Sequence, residues 1–333
     1  MRLLVTGGSG FIGTNVVEQF LQRGADVCSI DIVDPMLDAH RDVFDRVDIM
    51  DRSALERVFA DFRPTAVIHL AARADLEQRK GLEYFAPNIA GVTNMIDAIS
   101  GVGGVQRTIF TSTRLVFQLG YEPRHETDYH PSLLYGESKA KGEELVRAAP
   151  DALGEWTIVR PTGIWGPWSK EGYRPFFSMV QRGLYRQPRG KVVRKSFGYV
   201  GNLVYQMQRL LEADQSRVQK KTFFLADYEP VIVADWANQI AGRFGSPAVK
   251  SMPIAPLRVA AAVGDVLDRF GRRFPLTSFR LDNLTTDMVY DMSETEAVVG
   301  PLPITVEEGI AQTVEWMLSP AGQTLTHSAA RPT

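Results

Sequence analysis

The opening stretch of the chain restricts its fold more than any other. A short apolar run at residues 3–6 gives way to Gly7, Gly10 and Gly13 at three-residue intervals, and a segment with helical apolar spacing follows. That order reads as a buried strand, a turn stripped of side chains, and a helix start. Backbone N–H groups in such a turn can approach a pyrophosphate, and the positive end of the helix dipole favours the anion. The pattern points to a dinucleotide and is silent on the reaction. A plain tight turn is the competing explanation, and the position ahead of a periodic helix argues against it.

Strand signals recur at 3–6, 26–31, 46–49, 66–72, 107–113 and 156–161, with helical segments expected near 14–23, 53–62, 88–100 and 134–148. Such alternation is the pattern of an α/β fold, a Rossmann-type doubly wound parallel sheet. Beyond about residue 167 it weakens, and ten prolines from Pro167 to Pro303 punctuate shorter elements. These suit a smaller, mixed lobe over the C-terminal ends of the strands, where open sheets bind ligands. The expected organisation is therefore a cofactor domain at 1–167, a mainly substrate-binding lobe at 168–318, and a small, polar, aperiodic tail at 319–333 that frays. A length of 333 residues accommodates two such lobes.

Composition narrows the partners. A formal charge of −2 supplies no general attraction to nucleic acid, and no apolar run is long enough to span a bilayer. The chain starts directly with a strand and holds a single cysteine, Cys28, so a reducing cytoplasm is the expected location and any phosphate must be held by local groups.

Asp31 ends the second strand, eighteen residues after Gly13. A carboxylate there accepts hydrogen bonds from both adenosine ribose hydroxyls and repels a 2′-phosphate. The nearest following cation is Arg41, so NAD is expected rather than NADP, although an aspartate capping the turn before Pro35 is an alternative. Asp48 and Ile49 stand where the adenine would lie. Ala71 and Ala72 would let the dinucleotide pass close to the backbone, and packing explains small residues there equally well.

Tyr135 and Lys139, four residues apart in YGESKAKGEELV, project from one helix face. An ammonium near a phenol favours the phenolate, which lets tyrosine exchange a proton with a substrate hydroxyl. Thr113, beside Thr111 and Ser112, ends the fifth strand in the same layer as the glycine turn. A Tyr/Lys pair alone is more often a solvated helix face. Its appearance after the glycine turn, the Asp-ended strand and the hydroxyl-ended strand, in that order, makes a catalytic site the better reading.

With these pieces in place the chain resembles the extended short-chain dehydrogenases/reductases, the NAD-dependent epimerase/dehydratase family. The matching segments are TGGSGFIG at 6–13, Asp31, DI at 48–49, HLAA at 69–72, NIAGVTNMIDA at 88–98, TST at 111–113, YGESK at 135–139 and RPTGIWGP at 160–167, with weaker likeness at 196–204 and 290–300. The resemblance implies NAD held by Gly7, Gly10, Phe11, Ile12, Gly13, Asp31, Asp48, Ile49, Leu70, Ala71, Ala72, Tyr135 and Lys139. It implies Thr113 orienting the substrate, Tyr135 as acid/base, Lys139 on the nicotinamide ribose, and hydride moving between a ring carbon and nicotinamide C4. It also implies a homodimer through the helices near 88–100 and 134–148.

Departures from the family pattern narrow the chemistry. Sugar 4,6-dehydratases carry Asp-Glu directly after the threonine, where this chain has Arg114-Leu115, which argues against dehydration. Many 4-epimerases read Arg-Tyr-Phe-Asn after the sixth strand, and here Arg160-Pro161-Thr162-Gly163 replaces it; the RPTGIWGP and YVGN pieces look similar to hydroxysteroid dehydrogenases. The resemblance places Arg73, Thr113, Arg114, Arg194, Lys195 and Arg280 toward substrate, Lys195 and Arg280 as a diphosphate clamp. Arg182, Arg186 and Arg189, interleaved with Tyr185 and following Phe176 and Phe177, would add stacking and phosphate contacts. The first expectation is thus an epimerase, or nearly equally a 4-keto reductase, acting at C4 of a nucleotide-linked sugar. A 3β-hydroxysteroid-type dehydrogenase is the second, and the intact Thr113, Tyr135 and Lys139 argue against a third, a non-catalytic NAD-binding protein. Residues 255–274 form an apolar amphipathic stretch of the kind that either lies at a lipid interface or packs on its own domain.

Overall fold

The computed structural model describes residues 1–75, 80–170, 172–270, 274 and 276–329. In chain order the Rossmann half comprises β1 (Arg2–Thr6), α1 (Phe11–Gln22), β2 (Asp26–Asp31), β3 (Phe44–Arg46), α2 (Arg52–Phe62), β4 (Ala66–His69), α3 (Ala90–Val102), β5 (Arg107–Thr111), α4 (Leu134–Arg147) and β6 (Trp156–Pro161). There follow β7 (Gly163–Trp165), α5 (Tyr173–Gln181), β8 (Arg186–Pro188), β9 (Arg194–Lys195), β10 (Phe197–Tyr199), α6 (Val200–Glu212), α7 (Gln215–Val218) and β11 (Lys221–Leu225). The remainder is β12 (Val231–Ile232), α8 (Val233–Phe244), β13 (Lys250–Met252), α9 (Ile254–Arg269), α10 (Ser278–Thr285), α11 (Ser293–Val299), α12 (Val306–Leu318) and α13 (Pro320–Ala329).

Seven strands form one parallel sheet in the order β11-β6-β5-β4-β1-β2-β3. Strand order reverses at β1, which opens a crevice beyond the ends of β1 and β4, paired in register with Thr6 opposite His69. Alternate residues of each strand face opposite layers. Leu3 and Val5 meet Val16, Val17 and Phe20 of α1 on one side, while Leu4 and Ile30 meet Leu55, Phe59, Met95 and Ile99 on the other. Both faces are covered, which is why the strands read as continuous apolar runs.

Some elements differ from expectation. The third strand covers Phe44–Arg46 rather than 46–49, because the Asp48 carboxylate accepts the Met50 N–H at 2.9 Å and starts a turn; Asp51 then caps α2 through the Ala54 N–H at 3.0 Å. The seventh strand, β11, lies beyond residue 167 and pairs with β6, so the chain returns to the cofactor sheet from within the second half. The tail expected to fray from residue 319 is helical through α13. Pro320 occupies its first position, where a missing N–H costs nothing, Arg174 donates to the Gly322 carbonyl, and a Cβ at Gly322 would stand 2.1 Å from the Trp316 carbonyl oxygen. Residues 330–333 lie outside the described residues.

Candidate active site

The glycine turn is closed to side chains. Gly7 has φ +73°, its N–H donates to the Ile30 carbonyl at 2.8 Å, and a Cβ would stand 2.6 Å from the Ala71 nitrogen. A Cβ on Gly13 would stand 2.1 Å from the Gly7 carbonyl oxygen, while Gly10 is less confined at 3.2 Å. Strand, turn and helix are thereby drawn against the loop after β4. Helix α1, beginning at Phe11 and Ile12, has no side-chain N-cap, and the buried Ser9 and Thr14 hydroxyls have no partner among the described residues. Uncapped N–H groups and idle hydroxyls beside a bare turn fit a pyrophosphate.

Asp31 sits at the rim of this cradle. Its carboxylate accepts the Ser9 N–H at 3.0 Å, Ile32 at 2.7 Å and Val33 at 3.3 Å, so it both caps the turn and faces the glycine loop. Burial raises its pKa, and these hydrogen bonds oppose the rise. Asp48 is exposed, Ile49 is buried against Gly91, Leu70 donates its N–H to the Thr6 carbonyl at 3.1 Å, and Ala72 is exposed. Thr6 also accepts the Ala71 N–H at 3.1 Å and pairs with His69 Nδ1 at 2.7 Å.

Helix α4 carries Tyr135 and Lys139. Its first turn is pinned because a Cβ on Gly136 would stand 2.0 Å from the Leu115 carbonyl oxygen. That contact brings Tyr135 to Thr113, whose hydroxyl hydrogen-bonds the phenol and accepts the Leu115 N–H at 3.2 Å. Burial pushes the Tyr135 pKa up to about 12, with the Thr113 hydrogen bond opposing it. Lys139 is 5 % exposed; burial lowers its pKa to about 8, and Glu143 one turn further on resists the fall. Burial, reinforced by the Lys139 charge, holds His69 down to about 3, so its ring is neutral.

Buried polar residues without an assigned role in the sequence surround this arrangement. Asn88, fully buried, accepts the Arg73 N–H at 2.8 Å and donates to the Arg73 carbonyl and the Ser138 hydroxyl, both at 2.9 Å. Ser138 in turn donates to the Tyr135 carbonyl at 2.7 Å. Asn88 therefore ties the loop after β4 to α4. His69 lines a cavity of about 10 Å³ with Thr111, Ser112, Lys139 and Glu143. Glu143 receives Arg160 through both oxygens, at 2.8 and 2.6 Å, and the Tyr129 hydroxyl at 2.9 Å. Its helical spacing from Lys139 was visible in the sequence, whereas its distant partner Arg160 was not.

Of the expected substrate residues, the structure brings some together and separates others. Arg114 is 8 % exposed; burial of Lys195, reinforced by the Arg114 charge and opposed by Asp287, lowers the lysine to about 7. Lys195 is turned inward, donating to the Asn283 carbonyl at 2.6 Å on α10. Arg194, its neighbour in a strand, is exposed on the opposite face and does not join them. Arg280 is exposed on α10, one turn before Asn283. Arg73 stacks its guanidinium 4.1 Å over Tyr84. The aromatic residues interleaved with Arg182, Arg186 and Arg189 are core instead of a stacking surface: Phe176 stacks on Trp236 at 5.1 Å and meets Tyr185 at 4.7 Å.

The arrangement can exchange a proton: a phenol beside a hydroxyl, with an ammonium one turn on, at the same end of the sheet as a pyrophosphate cradle. The family model for the NAD dependent epimerase/dehydratase family matches residues 3–226. A 3 beta-hydroxysteroid dehydrogenase/Delta 5-->4-isomerase of Mycobacterium tuberculosis is 27 % identical over 338 residues, covering 96 % of this chain and 90 % of that protein. A UDP-glucose 4-epimerase of Vibrio cholerae is 27 % identical over 330 residues, covering 95 % of each. Among solved structures, the UDP-glucose 4-epimerase of Thermus thermophilus, in complex with NAD, superposes with a TM-score of 0.73 at 24 % identity, over 96 % of this chain and all of that one.

Proposed function

Because the chain belongs to the NAD-dependent epimerase/dehydratase family, we propose that it is an NAD-dependent enzyme acting at a ring carbon, C4, of a nucleotide-linked sugar. The observation that carries this reading is Tyr135 hydrogen-bonded to Thr113 at the same end of the sheet as a glycine turn that fits a pyrophosphate. NAD, when bound, supplies a nicotinamide ring that accepts or returns hydride. Gly7, Gly10, Gly13 and the start of α1 would hold its pyrophosphate, Asp31 its adenosine ribose, and Lys139 its second ribose. The Asp31 carboxylate favours NAD over NADP by repelling a 2′-phosphate.

In this mechanism Thr113 orients the substrate hydroxyl and Tyr135 takes its proton as the carbon is oxidised. The Thr113 hydrogen bond opposes the burial that raises Tyr135, and a charged Lys139 one turn on would lower the cost of the phenolate further. Returning the proton to a ketone reverses the step, so one site serves epimerisation and reduction. Arg114 and Lys195, close enough to depress the lysine, suit a phosphate that would relieve their mutual repulsion.

A second reading, a hydroxysteroid-type dehydrogenase, is favoured by the separation of Arg194 from Lys195 and by the full-length likeness to the mycobacterial protein. The two are distinguished by assaying the purified protein with NAD against UDP-, GDP-, CDP- and dTDP-sugars and a 3β-hydroxysterol. Turnover or thermal stabilisation with a nucleotide-sugar supports the first. A response to the sterol alone overturns it.

A further inference from the structure

Helix α9 packs through one face and leaves the other open. On the packed face Ala261 is buried, and a Cβ at Gly264 would stand 1.9 Å from the Leu276 carbonyl oxygen, so α9 lies hard against the chain that leads into α10. The open face is apolar. Ala255, Val259, Ala262, Val263 and Val266 recur at three- and four-residue steps and lead to Phe270, with Val259 67 %, Val263 49 %, Val266 51 % and Phe270 79 % exposed. Arg258 is the sole charged exposed residue among the described side chains of α9. A water-facing helix ordinarily carries polar groups here, and a contiguous apolar strip marks an interaction surface.

The neighbouring segment supplies charge of one sign. Residues 182–194 contain Arg182, Arg186, Arg189, Lys191 and Arg194 and no acidic residue. The segment runs beside the start of α9: Lys250 pairs with Arg186 across β13 and β8, and the Arg189 N–H donates to the Met252 carbonyl at 2.8 Å. Lys191 and Arg258 line the same cleft of about 310 Å³, where Asp282 of α10 is the one carboxylate among the described lining residues, and Val192 in the basic segment is 68 % exposed.

We propose that the open face of α9 and the basic segment 182–194 together dock the protein on an anionic phospholipid surface. The valines and Phe270 enter the boundary between headgroups and acyl chains, and the cations meet lipid phosphates. A second copy of the chain is a poorer occupant, because two-fold pairing of this face with itself brings the basic segments toward one another. The surface is separate from the Tyr135 site, so this inference stands or falls independently of the reaction.

Co-sedimentation of the full chain with vesicles tests it, using phosphatidylcholine alone and phosphatidylcholine mixed with phosphatidylglycerol. Binding is expected to the mixed vesicles, to weaken with added salt, and to fall by at least about tenfold in Val263→Asp/Val266→Asp, since carboxylates oppose both insertion and charge. These positions are half exposed, so an unchanged melting temperature shows that the variant is folded. Failure to bind the mixed vesicles, or equal binding by the variant, overturns the proposal. So does light scattering that finds a dimer which the double variant dissociates.

Discussion

Replacing Glu143 by glutamine removes one charge from a pair that water does not reach. Arg160 is 1 % exposed and Glu143 3 %, and two hydrogen bonds at 2.6 and 2.8 Å join them. After the substitution the guanidinium keeps the Glu126 carbonyl at 2.7 Å and the Phe117 ring at 4.9 Å, and neither supplies a counter-charge. Breaking a buried pair from one side costs about 3–5 kcal/mol. An unfolding entropy of about 2.1 cal/mol/K per residue, taken over the 333 residues, is roughly 0.7 kcal/mol/K, so the melting temperature should fall by about 4–7 °C. The converse change, Arg160→Met, should cost less, because Glu143 retains the Tyr129 hydroxyl at 2.9 Å and Arg147 at 3.9 Å. Removing both charges in Glu143→Leu/Arg160→Met should be less damaging than the two single losses added together. Scanning calorimetry of the four proteins closes the cycle. A melting temperature for Glu143→Gln within about 1 °C of wild type, or a double variant worse than the sum, would refute the reasoning.

Tyr135→Phe should lower kcat by about 10²–10⁴ while NAD binding, followed by fluorescence quenching, persists; full activity would remove tyrosine from the acid/base role. Asp31→Asn should weaken NAD and narrow the gap to NADP in titrations of both, and an unchanged preference would assign Asp31 to the turn alone. Stability should climb between pH 7 and pH 9. Lys139 and Lys195 have folded pKa values near 8 and 7, below their ordinary 10.5, so the unfolded chain binds more protons there and loses that advantage as pH rises. The gain is on the order of 3 kcal/mol, and above pH 9 the Cys28 thiol and the phenols of Tyr129, Tyr135 and Tyr228, all pushed up to about 12 by burial, oppose any further rise because they hold protons that the unfolded chain has lost. Denaturant melts across this range that are flat or falling would contradict it. In solution the protein should run as a dimer by light scattering, through α3 and α4; a monomer at assay concentration would count against the interface expected from the family.

What the sequence disclosed was local. The glycine turn requires bare backbone within a few residues, and Gly7 and Gly13 prove to have no room for a Cβ. The placement of Asp31 at a strand end and of Tyr135 and Lys139 on one helix was readable for the same reason, being fixed by spacing along the chain. What was hidden depends on distant partners. KTFFL at β11 carries no periodicity that separates strand from buried helix, and becomes a strand through pairing with β6. Arg194 and Lys195 are adjacent and chemically alike, yet a two-residue strand sends one to solvent and the other to Asn283. Phe176 and Tyr185 read as a stacking surface along the chain, but Phe176 stacks on the distant Trp236 and Tyr185 packs on Phe176.

The placement of β11 also bears on how the chain is made. All six residues of β6 are buried in the finished sheet, flanked by β5 and β11. When β6 leaves the ribosome its outer edge has no neighbour, and none exists until residue 225 follows, roughly 3–13 seconds later at about 5–20 residues per second. Throughout that interval the nascent protein presents an open apolar strand edge, the kind that recruits other chains. A ribosome paused between β6 and β11 would thus hold the molecule at its most aggregation-prone stage. Synonymous codons across that stretch would then be expected to change soluble yield without altering a single amino acid.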